Sequence, residues 1–183
     1  MIWKNTGILC ISKELEECTM ARKVFYSFCY SDDINRTMVV RNRWVTQRSQ
    51  TISGIIDKAE FEKIKKRGDQ AVYDWIDKQL EGTSVTIVLI GSNTLDRKFV
   101  QYEIRKSVER GNAVIGVHIN KIKDMQTLST SIKGNVHAVI GYYQDNLPAY
   151  FDKLCDGIYD YVQEDGYTNL GKWVEKAAKE KGK

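Results

Sequence analysis

The sequence predicts an α/β fold in which helices cover both faces of a parallel sheet. Residues 85–90 and 113–119 are runs that are apolar or β-branched at nearly every position, and residues 97–110 between them have the pattern of a helix closed by Gly111. Strands of this kind are buried on both faces, which is typical of parallel sheets that alternate with helices. The length of 183 residues suffices for one domain with a full core.

The N-terminal half predicts a strand, a helix and a second strand. Residues 24–28 are rich in strand formers, and Asp32 and Asp33 then offer N-caps for a helix. Apolar residues recur at helical spacing from there to about Arg48, and residues 52–56 have the composition of a short second strand. Regular structure is therefore expected from the start of this segment onward.

The rest of the chain continues the alternation. A helix is predicted over residues 69–80, with Gly82 just beyond its C-terminus. Residues 120–150 are the least regular segment, residues 157–162 are a candidate fifth strand, and residues 170–177 belong to an amphipathic final helix. The result is a three-layer α/β sandwich, flavodoxin-like in organisation, and in such sheets ligands bind beyond the C-terminal ends of the strands.

The chain divides into three parts. We expect residues 1–19 to be a poorly ordered N-terminal extension, because regular structure begins only after Met20. Residues 20–175 are predicted to form the single domain. Residues 176–183 carry an excess of lysine, which is typical of a solvated, fraying tail.

Composition disfavours several functional classes. The formal net charge of +4 is mildly basic, whereas a nucleic-acid-binding protein would more often show a concentrated basic face. No apolar run approaches the roughly 20 residues of a membrane-spanning helix. The four cysteines form no CxxC pair, which favours a reducing, cytoplasmic setting. His118 and His137 lack the spacing of metal ligands, so we predict no bound metal.

Phosphate-binding motifs are missing. No GxGxxG follows the first strand and no GxxxxGK occurs, which disfavours a flavodoxin-like nucleotide or flavin binder as an alternative function.

Arg41 and Trp44 are neighbours on the first predicted helix, with Arg48 one turn beyond Trp44. These residues are either a stacking platform with a phosphate clamp or a core tryptophan beside solvated arginines.

The predicted helix of residues 97–110 carries the strongest signal. Its buried stripe is predicted to consist of Val100, Ile104 and Val108. Phe99 and Glu103 share an adjacent face near the N-terminal half, which would bring a carboxylate to the strand-end crevice. The alternative is an ordinary surface glutamate that pairs with Lys106.

Motifs in register indicate a known family. They are residues 24–28 (VFYSF), 40–45 (VRNRWV), 83–92 (TSVTIVLIGS), Phe99 with Glu103, 102–104 (YEI), and more weakly 165–167 (DGY) and 172–173 (KW). Together they resemble the TIR-like proteins of the bacterial Thoeris antiphage defence system, within the TIR domain superfamily. The resemblance runs from about residue 21 to residue 119 and returns weakly at residues 159–173.

The resemblance implies a TIR-like fold and an NAD⁺-consuming signalling enzyme. Such an enzyme breaks the nicotinamide–ribose bond and makes a cyclic ADP-ribose isomer, a second messenger that activates a partner effector, which then depletes NAD. The implied trigger comes from the phage. Glu103 takes the place of the catalytic glutamate, and Phe99 takes the aromatic position of the same motif. NAD⁺ is then the substrate, and no cofactor or metal is required.

We predict that Phe28, Tyr30, Arg41, Asn42 and Ser92 complete the substrate site, together with the aromatic residue of the motif. A non-catalytic TIR-like module that senses a phage component or serves as a scaffold remains the alternative function. The sequence leaves open whether copies of the chain form a homo-oligomer.

Overall fold

The computed structural model describes residues 22–46, 51–55 and 58–183. The predicted extension of residues 1–19 lies outside this part. The elements follow in the order β1 (Lys23–Phe28), α1 (Tyr30–Thr46), β2 (Thr51–Ser53), α2 (Lys58–Lys65), α3 (Asp69–Leu80), β3 (Val85–Ile90), a 3-10 turn (Thr94–Asp96), α4 (Lys98–Glu109), β4 (Ala113–His118), β5 (Val139–Tyr142), β6 (Pro148–Tyr150), α5 (Phe151–Leu154), β7 (Gly157–Asp160) and α6 (Gly166–Glu180). Within the described ranges, the helices are too short or too polar to cross a membrane.

Five parallel strands form the main sheet in the order β2-β1-β3-β4-β7. This is the 2-1-3-4-5 order of flavodoxin-like sheets, so the predicted fold class is confirmed. The register pairs Phe28 with Leu89 across β1 and β3, and Ile90 with His118 across β3 and β4. The carboxyl ends of these strands therefore meet at one edge, and the strand order reverses between β1 and β3.

The two faces of the sheet bury different sets of side chains. One face packs against α1 and α6, and the other packs against α3, α4 and the β5–β6 hairpin. Successive side chains of a strand alternate between faces. Tyr26 and Phe28 of β1 accordingly lie on the α1 and α6 side, whereas Phe25 and Ser27 contact residues of α3 and α4. The end of β1 can thus supply groups to both sides.

Helix α1 begins earlier than the sequence indicates. It starts at Tyr30, so Asp32 and Asp33 lie in its first turn and not at the predicted N-cap position. Their backbone N–H groups donate to the carbonyl oxygen of Cys29, at 3.3 and 2.9 Å. Carboxylates in the first turn still complement the positive end of the helix dipole.

Three further elements differ from the prediction. Helix α2 was not predicted, and residues 120–150 contain the antiparallel hairpin of β5 and β6. Helix α6 continues across the boundary predicted after residue 175, and Ala177 and Ala178 are buried against the sheet. The lysines that surround these two alanines therefore belong to a packed helix and not to a fraying tail.

Candidate active site at the carboxyl end of β1

A cavity of about 660 Å³ lies at the carboxyl end of β1. This volume is within the range of about 300–1,000 Å³ that is typical of small-molecule sites. The walls come from the end of β1, from the start of α1, from α2 and α3, and from the start of α4. Its lining includes Phe28, Tyr30, Phe61, Lys65, Trp75, Arg97, Phe99 and Glu103. The cavity lies at the edge where parallel sheets of this order bind ligands.

Glu103 is a buried carboxyl group in the cavity wall. It belongs to α4 and is 9% exposed. The Ser27 hydroxyl donates a hydrogen bond of 2.5 Å to Glu103 Oε2. Burial raises the pKa of Glu103 to about 8, and the Ser27 hydrogen bond opposes this rise because it favours the ionised form. A carboxyl group that titrates near neutral pH inside a cavity is a functional-site candidate.

The surface alternative for this glutamate is wrong. Lys106 pairs with Glu109, with 2.7 Å between Nζ and Oε2, and not with Glu103. The buried stripe of α4 consists of Val100, Glu103, Ile104 and Ser107. Val108, which was predicted to belong to it, is 39% exposed. The helix is therefore rotated so that Glu103 faces the end of β1.

Aromatic rings form much of the cavity wall. The ring of Tyr30 stacks on that of Phe61, with centroids 5.3 Å apart, and Phe28 lies 5.9 Å from Tyr30. Trp75 meets Phe61 edge to face at 6.4 Å. On the α4 side, Phe99 lines the cavity and packs edge to face against a tyrosine of α3. Flat apolar walls of this kind suit the faces of planar rings in a ligand.

Charged side chains also line the cavity. Arg97 Nη2 contacts Asp32 Oδ2 at 2.8 Å, and Lys98 pairs with Asp69. The pKa of Asp32 is lowered, first by its hydrogen bond from Ser31 and further by Arg97. The side chains of Arg97 and Lys98 are both exposed to solvent, so these two ion pairs contribute little to stability. Their cations can therefore also bind an anionic ligand.

The structure brings together four of the seven predicted site residues. Phe28, Tyr30, Phe99 and Glu103 all line the cavity. Their roles toward a substrate remain predictions.

The other three, Arg41, Asn42 and Ser92, are not in the described lining. The lining residues of helix α1 extend only to Ile34. Arg41 lies about 10 Å further along the helix at 1.5 Å per residue. Trp44 is 1% exposed and belongs to the core, which favours the structural interpretation of that helix.

Several residues of the candidate site were not predicted from the sequence. Ser27 is the one small polar residue among the aromatic and aliphatic residues 24–28, and that contrast is the signal that could have identified it. Phe61 and Trp75 come from α2 and α3, and only the packing of those helices brings them to the cavity. Among the residues that the structure describes, no cluster of histidine, cysteine, aspartate and glutamate could hold a metal ion.

The order and layering of the sheet are those expected of a TIR-like domain. The family described as "Thoeris protein ThsB, TIR-like domain" matches residues 25–124. A protein of Bacillus cereus (strain MSX-D12) named "Putative cyclic ADP-D-ribose synthase ThsB1" is 36% identical over an alignment of 191 positions, which covers 85% of this chain and 100% of that relative. The chain belongs to the ThsB family of TIR-like proteins, which confirms the resemblance seen in the sequence.

Proposed function

We propose that this protein cleaves NAD⁺ at the nicotinamide–ribose bond and forms a cyclic ADP-ribose isomer. The observation that carries the proposal is Glu103, a buried carboxyl group in the cavity wall to which no cation among the described residues is paired. Membership of the ThsB family and the name of the B. cereus relative support the same reaction.

The chemistry needs one well-placed carboxylate. The bond between ribose C1′ and the nicotinamide nitrogen breaks with both electrons on nicotinamide, which leaves as a neutral molecule and needs no general acid. The ribose gains oxocarbenium character, which a nearby carboxylate stabilises. A nucleophilic oxygen or nitrogen of the same ADP-ribose unit then bonds to C1′ and releases one proton.

The protonation state of Glu103 fits a cationic substrate. Burial raises its pKa to about 8 in the free protein, so much of the population is protonated at neutral pH. The nicotinamide ring of NAD⁺ carries a positive charge, and an opposite charge nearby favours the ionised carboxylate. Substrate binding would therefore generate the charged form that the reaction uses.

The remaining walls suit the rest of a dinucleotide. Two rings, Phe61 and Trp75, offer faces for a base, and base stacking on aromatic side chains is worth about 1–3 kcal/mol. Lys65 and Arg97 line the same cavity and can neutralise a diphosphate. We further propose that the product acts as a messenger for an NAD-depleting effector and that a phage-derived trigger starts its synthesis.

Incubation with NAD⁺ followed by mass spectrometry tests the proposal. We expect nicotinamide and a product with the mass of cyclic ADP-ribose, from the protein alone or after addition of lysate from infected cells. Glu103→Gln keeps the size of the side chain and should lower the rate of product formation by a factor of about 10²–10³. Glu109→Gln is the matched control, because Glu109 lies on the same helix with a 59% exposed side chain and does not line the cavity.

Two outcomes would contradict the proposal. Intact NAD⁺ under both conditions would exclude the reaction. Wild-type product formation by a folded Glu103→Gln variant would exclude the catalytic role and favour a sensor or scaffold.

A further inference from the structure

The contact between Ser27 and Glu103 joins two rigid elements at the cavity. Ser27 is fully buried and lies one residue before the end of β1, which is held between β2 and β3. Its hydroxyl is 2.5 Å from Glu103 Oε2 on α4. Among the described residues, no other side chain donates a hydrogen bond to this carboxyl group.

We propose that Ser27 is a positioning residue for the reaction proposed above: its hydroxyl holds one oxygen of the Glu103 carboxylate and leaves the other to face ribose C1′. This inference rests on the proposed function. It concerns how the carboxylate is oriented, and Ser27 itself is not expected to touch the substrate.

The geometry gives a reason for such a residue. A glutamate side chain has three rotatable bonds, and within the described part of the chain only the Ser27 hydroxyl donates a side-chain hydrogen bond to this carboxyl group that would select one rotamer. The backbone of a central strand is a fixed point from which a short side chain can do so. A misplacement of about 1 Å in a reacting group can lower a rate by about 10².

The same hydrogen bond has an electrostatic consequence. Burial disfavours the charge on Glu103, and the Ser27 hydroxyl is the group that opposes this effect. Removal of the hydroxyl would therefore raise the pKa of Glu103 further. A smaller fraction of the variant protein would carry the ionised carboxylate at neutral pH.

A second hydroxyl pair in the same interface provides a matched control. Thr86 of β3 and Ser107 of α4 are both buried, and their oxygens lie 2.6 Å apart. Ser107 follows Glu103 by one helical turn, and neither member of this pair lines the cavity. Thr86→Val removes a buried hydroxyl between strand and helix without touching the carboxylate.

The experiment compares Ser27→Ala with Thr86→Val. We expect Ser27→Ala to lower kcat for NAD⁺ cleavage about 10- to 100-fold with little change in KM, because positioning acts on the transition state. The rising limb of its pH–rate profile should move to higher pH. Thr86→Val should lower the melting temperature about as much as Ser27→Ala does, because each change removes one buried hydroxyl. It should leave kcat and the pH profile unchanged.

A direct titration separates this proposal from the proposed function. Infrared spectra of protein with isotope-labelled glutamate, referenced to Glu103→Gln, report the protonation of Glu103 without any turnover. We expect a midpoint of about 8 in the wild-type protein, a higher midpoint in Ser27→Ala and an unchanged one in Thr86→Val. Wild-type protein that leaves NAD⁺ intact would overturn the proposed function. An unchanged midpoint in Ser27→Ala, or equal loss of kcat in both variants, would overturn the positioning role.

Discussion

Two carboxyl groups are buried near the carboxyl ends of β1 and β3, and their surroundings differ. Asp33 is 1% exposed and Glu103 is 9% exposed. Asp33 contacts Arg36 Nη1 at 3.3 Å and accepts a hydrogen bond of 3.3 Å from the Thr94 hydroxyl. Glu103 has the Ser27 hydroxyl and no cation within the described part of the chain. Burial raises the pKa of both groups.

The difference separates a carboxylate with a structural role from the one for which we propose a catalytic role. Arg36, which neutralises Asp33, also donates to the backbone oxygens of Ile122 and Ser129, so this pair ties α1 to the segment after β4. Gly91 has no side chain at the point where a β-carbon would overlap the Asp33 carboxylate. Asp33 is therefore enclosed and compensated, whereas Glu103 is uncompensated and reaches a cavity.

The largest expected effect on stability comes from Asp33→Ala. This change leaves Arg36 buried without its anionic partner, and breaking a buried pair in this way costs about 3–5 kcal/mol. Denaturant unfolding measures the free energy of unfolding. Asp32→Ala is the control, because Asp32 pairs with Arg97 at an accessible position and should lose no more than about 1 kcal/mol. Equal losses in the two variants would show that Asp33 does not have the enclosed, structural role inferred here.

A smaller effect is the pH dependence that Glu103 confers on stability. Its pKa is 4.5 in an ordinary setting and about 8 in the folded protein, so the folded state holds the proton more tightly. The contribution of Glu103 to the free energy of unfolding is fully present below pH 4.5, and it is lost as the pH rises through the pKa of about 8 in the folded protein. The slope in this window is at most about 1.4 kcal/mol per pH unit.

Glu103→Gln cannot titrate and should lack this slope. The free energy of unfolding of both proteins, measured from about pH 5 to about pH 9, checks the expectation. Because Asp33 is present in both, its contribution cancels in the difference. Parallel curves would mean that Glu103 titrates normally, and the contrast between the two carboxyl groups would then disappear.

Local patterns predicted the main elements but not their side-chain contacts. The strands β1, β3 and β4 were predicted because sheet strands buried on both faces have apolar side chains at nearly every position. The face of α4 was predicted only approximately, since Glu103 and Ser107 are polar residues in its buried stripe. Polar residues that replace apolar ones in a stripe cannot be recognised from periodicity alone.

Long-range contacts account for most of what was missed. Ser27 and Glu103 are 76 residues apart in the chain, and nothing local to either residue indicates that they meet. Helix α2 is short and rich in charged residues, and it is ordered by its packing on α3, which brings Phe61 to Trp75. The wall of the cavity is thus a property of tertiary packing.

The smallest expected effect concerns Arg41, which is predicted from the sequence to belong to the substrate site. If the cavity beside Glu103 marks the limit of that site, a cation on α1 outside the cavity should not matter for the reaction. The one hydrogen bond described for the Arg41 side chain goes to Asn42 Oδ1, at 3.5 Å. Arg41→Ala should therefore change the free energy of unfolding, and the free energy corresponding to kcat/KM, by about 0.5 kcal/mol or less, which is roughly twofold. Arg97→Ala, which removes a cation from the cavity lining, should raise KM more. A KM that rises several-fold in Arg41→Ala alone would extend the site onto α1 and restore the assignment made from the sequence.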